Sequence, residues 1–260
     1  MSGSTEREAR LEICATAREI WQRGLGAAAD GNLSMRVCRE RFLTTPSGSH
    51  KGKLRPVDLV LCDLGGRVVR GGRPSAELGL HVEAYRRRPD IGAVIHAHPP
   101  MATAYNLAGG RLSDLLIAEP VFSFGQVATA PYTTPTTADV PATLGDYFAC
   151  YDAVLMARHG SVTLGATLQQ AFLRLDAMEH TARIGVMARL MGGAEPLPRG
   201  EVDRLYELAT GTAAPAHRQP GSHCPPLEPD DPLSASVQTS AEDRALVAAV
   251  LRSLGDPGAR

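Results

Sequence analysis

Two short stretches put imidazoles where they could gather around one ion. His96-Ala97-His98 follows the run GAVI, and Arg158-His159-Gly160 follows DAVLMA. Both runs read as strands. Side chains two apart on a strand point the same way, so His96 and His98 share one face. His159, from a neighbouring strand end, completes a three-nitrogen set for a divalent cation with one coordination position open. That open position separates a catalytic zinc-type site from a closed structural one. The competing reading is a satisfied polar core, the usual role of a lone histidine at a strand end. Two rings on one face, with a third in the same strand-then-loop setting, bring metal binding level with that reading.

Ser75-Ala76-Glu77 opens the helix that precedes the His-x-His strand. A carboxylate there can reach the metal, serving as a removable fourth ligand and as general base. A plain helix-start acid, favoured by the dipole, is the alternative. Three small polar loops, Gly31-Asn32, Thr45-Pro46-Ser47-Gly48 and Pro74-Ser75, can offer N–H and hydroxyl groups to an anion such as phosphate. Turn chemistry explains each of them as well. His81 and His180 read as structural, whereas His50 stands within reach of a substrate. His217, His223 and Cys224 lie in a Pro-rich stretch that does not hold them in place.

The elements that must position these groups alternate along the chain. Residues 5–24 predict a helix that stops at Gly24, and GNLSMRV and RFLTT predict strands. VDLVLCDLGGRVVRG predicts a hairpin turned at Leu64-Gly65-Gly66. PSAELGLHVEAYRRR predicts a helix capped by Ser75, with Leu78, Val82 and Tyr85 on one stripe. IGAVIHAH is a strand, and PPMATAYNLAG a helix opened by proline and closed by glycine. LLIAEP and GQVATAPY predict short strands, and ADVPATLGDYFACY a helix. DAVLMARHGSVTLG is a strand pair, and a long amphipathic helix follows, ending at Gly192-Gly193. Alternation to about residue 210 predicts one layered α/β domain over residues 1–212. Residues 213–239 are Pro-rich and read as a linker. Residues 240–260 read as a short amphipathic helix that must dock on something to persist.

The chain has 260 residues, 43% apolar and 21% charged, with a formal net charge of −1. That balance supplies no field for nucleic acid or an anionic membrane surface. No apolar run approaches the roughly 20 residues of a membrane span, and MSGSTEREARLE has no apolar signal core, so a soluble cytoplasmic protein is expected. Cys14, Cys38, Cys62, Cys150 and Cys224 are scattered without a C-x-x-C pair, which predicts free reduced thiols.

In their order and spacing, GNLSMR, TPSG, PSAELGLHVEAYRRRPD, AVIHAHPPMATA, ARHG and the EHTARI helix resemble the class II aldolase/adducin family over about residues 8–208. The resemblance implies a single α/β/α layered domain around a mostly antiparallel sheet, and a homotetramer with sites between subunits. It implies zinc on His96, His98 and His159, with Mn2+, Fe2+ or Co2+ as other candidate metals. Glu77 would be a further ligand and the acid/base, a residue type that favours C–C cleavage over epimerisation. Asn32, Ser47, Gly48 and Ser75 would hold the substrate phosphate. The implied activity is cleavage of a ketose 1-phosphate, such as L-fuculose 1-phosphate, to dihydroxyacetone phosphate and an aldehyde.

Some positions depart from the family pattern. Ala76 stands where a second serine is usual and Ala29 where a threonine is. Pro120 or Val121 occupies the place of a proton-donating tyrosine, with Tyr132 and Tyr206 as substitutes. The thinned phosphate cradle keeps a metal-dependent decarboxylase of a hydroxylated sugar acid or aromatic acid as the rival. An adducin-like binding module is the non-enzymatic alternative, opposed by the intact histidines. The linker and terminal helix resemble encapsulation peptides of bacterial microcompartment cargo, implying shell proteins as partners.

Overall fold

The computed structural model describes residues 5–210, 223–228 and Ala245. Apart from Ala245, the predicted terminal helix over 240–260 lies outside the described residues, as does most of the 213–239 stretch. Helix α1 (Glu6–Gln22) opens on a capping box between Thr5 and Glu8. Strands β1 (Asn32–Cys38), β2 (Arg41–Thr44), β3 (Val60–Asp63) and β4 (Val68–Arg70) follow, then α2 (Leu78–Arg87) and β5 (Ala93–Ala97). Next come α3 (Pro100–Leu107), α4 (Glu119–Ser123), β6 (Ala128–Ala130) and α5 (Asp139–Cys150). The chain continues through β7 (Ala153–Met156), β8 (Gly160–Gly165), α6 (Leu168–Leu190) and α7 (Arg199–Thr210).

The strands form one eight-stranded sheet in the order β4-β3-β2-β1-β5-β8-β7-β6. Every pairing is antiparallel except β6 with β7. Alternation along the central strands sorts the core into layers, as a period of two requires. Phe42, Val60, Val94, Val154 and Val162 face α2 and α5. Leu43, Leu61, Ala93 and Ile95 face α1 and α6. His96 stands one pleat beyond Val94, so it lies under the start of α2. The layered, mostly antiparallel α/β domain is therefore the observed fold.

Several local expectations are corrected. LLIAEP is not a strand: its end forms α4, because Pro120 cannot donate to a ladder and suits the first turn of a helix. Helix α2 begins at Leu78 with Glu77 at its cap position, two residues after Ser75. Its buried positions are Leu80, His81, Ala84 and Tyr85, while Leu78 and Val82 are half-buried. Two of the five cysteines are not free thiols, since Cys150 and Cys224 form a disulfide. The described part of the Pro-rich stretch also packs on the domain. Thr129 N–H on β6 donates to the Leu227 carbonyl at 2.7 Å, and Tyr151 Oη donates to the Pro225 carbonyl at 2.7 Å. Strand β6 ends the sheet, and this segment covers an edge that would otherwise offer unpaired backbone groups. Among the described residues no helix is long and apolar enough to cross a membrane.

Candidate active site

Four chain segments meet at one end of β5. In the antiparallel register Asn32 sits opposite His96, and Val162 flanks it on the other side. His98 lies just past the strand end, where its backbone N–H donates to the Leu25 carbonyl at 3.1 Å. His159 occupies the tight turn between β7 and β8, its N–H on the Met156 carbonyl at 3.0 Å. Arg158 adopts a left-handed backbone (φ 58°), a conformation that costs a non-glycine residue energy and here turns His159 toward β5. Two glycines allow the close approach. A Cβ at Gly31, where φ is +72°, would meet the His96 carbonyl oxygen at 2.7 Å, and one at Gly160 would meet the Ala97 carbonyl oxygen at 2.6 Å.

The three imidazoles form a near-equilateral group, with ring centroids 4.8, 4.9 and 5.0 Å apart and interplanar angles of 64–67°. One nitrogen from each lies within 4.8 Å of the others. Glu77 faces them: Oε2 is 3.2 Å from His96 Nε2, and Oε1 is 3.6 Å from His159 Nε2. Sequence and structure therefore agree on bringing His96, His98, His159 and Glu77 together.

The proton bookkeeping tests whether a cation fits. His96 Nδ1 is 2.9 Å from the Ser161 carbonyl, which can only accept, so Nδ1 carries the hydrogen. In the neutral ring Nε2 is then a bare acceptor aimed at a carboxylate and, at 3.1 Å, at His98 Nε2. Burial pushes His159 down to about 4 and also lowers His98, so these rings are neutral at pH 7. Burial alone would raise Glu77, the Asn32 amide donating to Oε2 works against it, and the balance holds the carboxyl below its ordinary value, ionised at pH 7. Its Oε1 is buried and accepts no hydrogen bond. Neutral imidazole nitrogens and an ionised carboxylate with an unmet oxygen suit a divalent cation.

Behind Glu77 runs a buried chain of hydrogen bonds whose directions follow from one fact: a carboxylate only accepts. Asn32 Nδ2 donates to Glu77 Oε2 at 2.8 Å, which turns Asn32 Oδ1 toward His81 Nε2–H. His81 Nδ1 therefore accepts from Ser34 Oγ at 2.7 Å, and Ser34 Oγ accepts from Tyr85 at 2.9 Å. Burial pushes His81 down to about 3, so it stays neutral, as the chain needs. Sequence reading gave His81 only a structural role. A usable signal was present: Asn32 and Ser34 share a strand face, while Glu77, His81 and Tyr85 recur at four on one helix face.

The predicted anion-binding residues lie on two neighbouring loops and at the start of β1. The Pro46–Pro74 bridge, Ser47 N–H on the Arg73 carbonyl and Ser75 N–H on the Thr45 carbonyl zip the two loops together. Gly48 turns the first loop at φ +67°. Ser75 Oγ accepts from the Glu77 N–H at 3.2 Å, and the Asn32 amide is engaged by Glu77 and His81. Beside Glu77 a cleft of about 310 Å³ runs between Ala76 and Leu80 on one side and Thr136 to Pro141 on the other. Of the tyrosines offered as proton donors, Tyr132 is exposed, and Tyr206 is buried against Leu115, Val121 and Val202. Cys224, grouped by sequence with His217 and His223, is bound to Cys150 instead.

Comparison with known proteins agrees with this geometry. Residues 11–186 match the class II aldolase and adducin N-terminal domain. A 3-oxo-tetronate 4-phosphate decarboxylase of Pectobacterium atrosepticum is 32% identical over 185 residues, covering 70% of this chain and 85% of that protein. A methylthioribulose-1-phosphate dehydratase of Methylococcus capsulatus is 35% identical over 188 residues, covering 68% and 92%. The solved structure of an L-fuculose 1-phosphate aldolase superposes with a TM-score of 0.73 at 28% identity, covering 80% of this chain and 99% of that one. With its fold, its histidine cluster and two thirds of its length in register with these proteins, the chain belongs to the class II aldolase/adducin family.

Proposed function

We propose that this protein is a divalent-metal-dependent lyase of a phosphorylated sugar, with zinc as the metal. The reaction is cleavage of a ketose 1-phosphate such as L-fuculose 1-phosphate to dihydroxyacetone phosphate and an aldehyde. The observation that carries this reading is the cluster of His96, His98 and His159 beside Glu77, whose buried Oε1 accepts no hydrogen bond. A cation held by the histidines supplies Lewis acidity for the negative charge that develops on a carbonyl oxygen. Glu77 does the proton work. Asn32 holds Oε2, which leaves Oε1 to take a proton as base and return it to carbon as acid. Ser47, Gly48 and Ser75, with the backbone at Asn32, receive the phosphate. The homotetramer, and a terminal helix docking on microcompartment shell proteins, belong to the same proposal.

A decarboxylase is the second reading, favoured by the 32% identity to a 3-oxo-tetronate 4-phosphate decarboxylase. The same charge-stabilising site serves both reactions, with carbon dioxide departing in place of an aldehyde. Zinc-loaded protein given L-fuculose 1-phosphate should release dihydroxyacetone phosphate, and chelated protein should not. Fully metallated protein that releases none, yet frees carbon dioxide from 3-oxo-tetronate 4-phosphate, replaces the first reading with the second. Inactivity of metallated protein on both rejects them together.

A further inference from the structure

Lys51 is a buried cation beside the site that the proposed chemistry leaves unused. Only 4% of it is exposed. Its Nζ donates to the Ala29 carbonyl and to the Ser49 carbonyl, each at 2.9 Å. Those oxygens belong to different loops. The first runs through Asp30 and Gly31 into Asn32, and the second carries Ser47 and Gly48. An ammonium has three N–H groups, and among the described residues no third acceptor and no carboxylate at ion-pair distance engages this one. Ala29 lies two residues before Gly31, whose Cβ position abuts the His96 carbonyl oxygen, so Lys51 grips the loop that enters the histidine cluster.

Burying an ammonium without a paired anion is expensive, and joining two loops does not require the charge. The other residues assigned to the anion cradle, Asn32, Ser47, Gly48 and Ser75, are uncharged. A phosphate monoester dianion in such a cradle lacks a countercharge, while Lys51 lacks an anion. We propose that Lys51 reads the charge of the substrate's phosphate, its third N–H completing a site that Ser47, Gly48 and Ser75 shape. This inference rests on the lyase reading for the identity of the anion, and its test is made without turnover.

Inorganic phosphate is the probe, titrated into the full chain at constant ionic strength while the thermal midpoint is followed. The native protein and Lys53→Met, a change at an exposed position on the same loop, should be stabilised in a saturable way. Lys51→Met should bind about tenfold more weakly or worse, and Lys51→Arg should keep most of the effect. Because the readout is the shift that phosphate causes, a purely structural loss would lower the starting midpoint and leave the shift intact. Should Lys51→Met not fold, Lys51→Gln, whose amide can still donate to the two carbonyls, carries the test. Equal phosphate affinity in native and Lys51-substituted protein overturns the assignment, as does failure of the native protein to bind phosphate. In either case the dihydroxyacetone phosphate assay decides the lyase reading separately.

Discussion

Glu179 and Glu77 both lie largely out of solvent, and they are kept there differently. Glu179, in the middle of α6 and 4% exposed, accepts the Met101 N–H at 3.0 Å and the Ala102 N–H at 2.9 Å. It caps α3, which starts on Pro100 and so has one fewer donor to satisfy. Both of its oxygens are met by rigid backbone. Glu77 has one oxygen held by a side chain, itself held by another side chain, and a second oxygen with no donor at all. Burial alone therefore does not mark the functional acid. The unmet acceptor does, because a structural carboxylate has no reason to keep one.

The contrast can be tested by removing the same charge at both places. Glu77→Gln should lower kcat by about 10²–10⁴-fold while zinc content, measured by elemental analysis, stays near native. Undiminished turnover would erase the distinction. His81→Ala, which frees the Asn32 amide to rotate, should lower kcat by about 10–100-fold with little change in KM. A purely structural His81 would instead lower the thermal midpoint and leave kcat per folded molecule unchanged. Glu179→Gln sets an amide NH2 against a backbone N–H, so it should destabilise by about 1–3 kcal/mol in urea unfolding, with turnover of the folded enzyme intact.

The smallest effect is that of acid on the metal-free protein. His159 and His81 are held neutral at about 4 and about 3, chiefly by burial. Unfolded, both take up a proton near the ordinary imidazole value of 6.5, so the unfolded state binds more protons below that pH. Glu77, held below its ordinary value, acts in the same direction below about 4.5. The thermal midpoint should thus decline steadily as pH falls from about 6.5 to 4. A flat profile would contradict the buried, neutral rings.

Legibility in the sequence followed the range of the interaction. The hairpin at Leu64-Gly65-Gly66 and the strand pair around His159 were readable, because turn residues and period-two patterning are local. The histidine cluster was readable because few combinations of imidazole and strand end serve another purpose. LLIAEP misled because its apolar composition suits a strand, whereas Pro120 decides for a helix start. The link between Cys150 and Cys224 spans 74 residues, and pairing depends on Cα atoms brought within 5.8 Å by tertiary structure, which spacing does not display. Lys51 escaped notice for a related reason: its burial depends on a second loop, at Ala29, that is distant in sequence, and lysine is ordinarily a surface residue.

Gly31 and Gly160 carry a consequence for how relatives of this protein should be sorted. Neither has a side chain to offer a metal or a substrate, and neither would enter a tally of chemically active side chains. Yet a single methyl group at Gly160 would arrive 2.6 Å from the Ala97 carbonyl oxygen and from His98 Cδ2, wedging apart the segments that carry the rings. A descendant of this chain could keep every imidazole and the glutamate and still become a pseudoenzyme through one alanine. Classifying such sequences by their histidines alone would count it among the living.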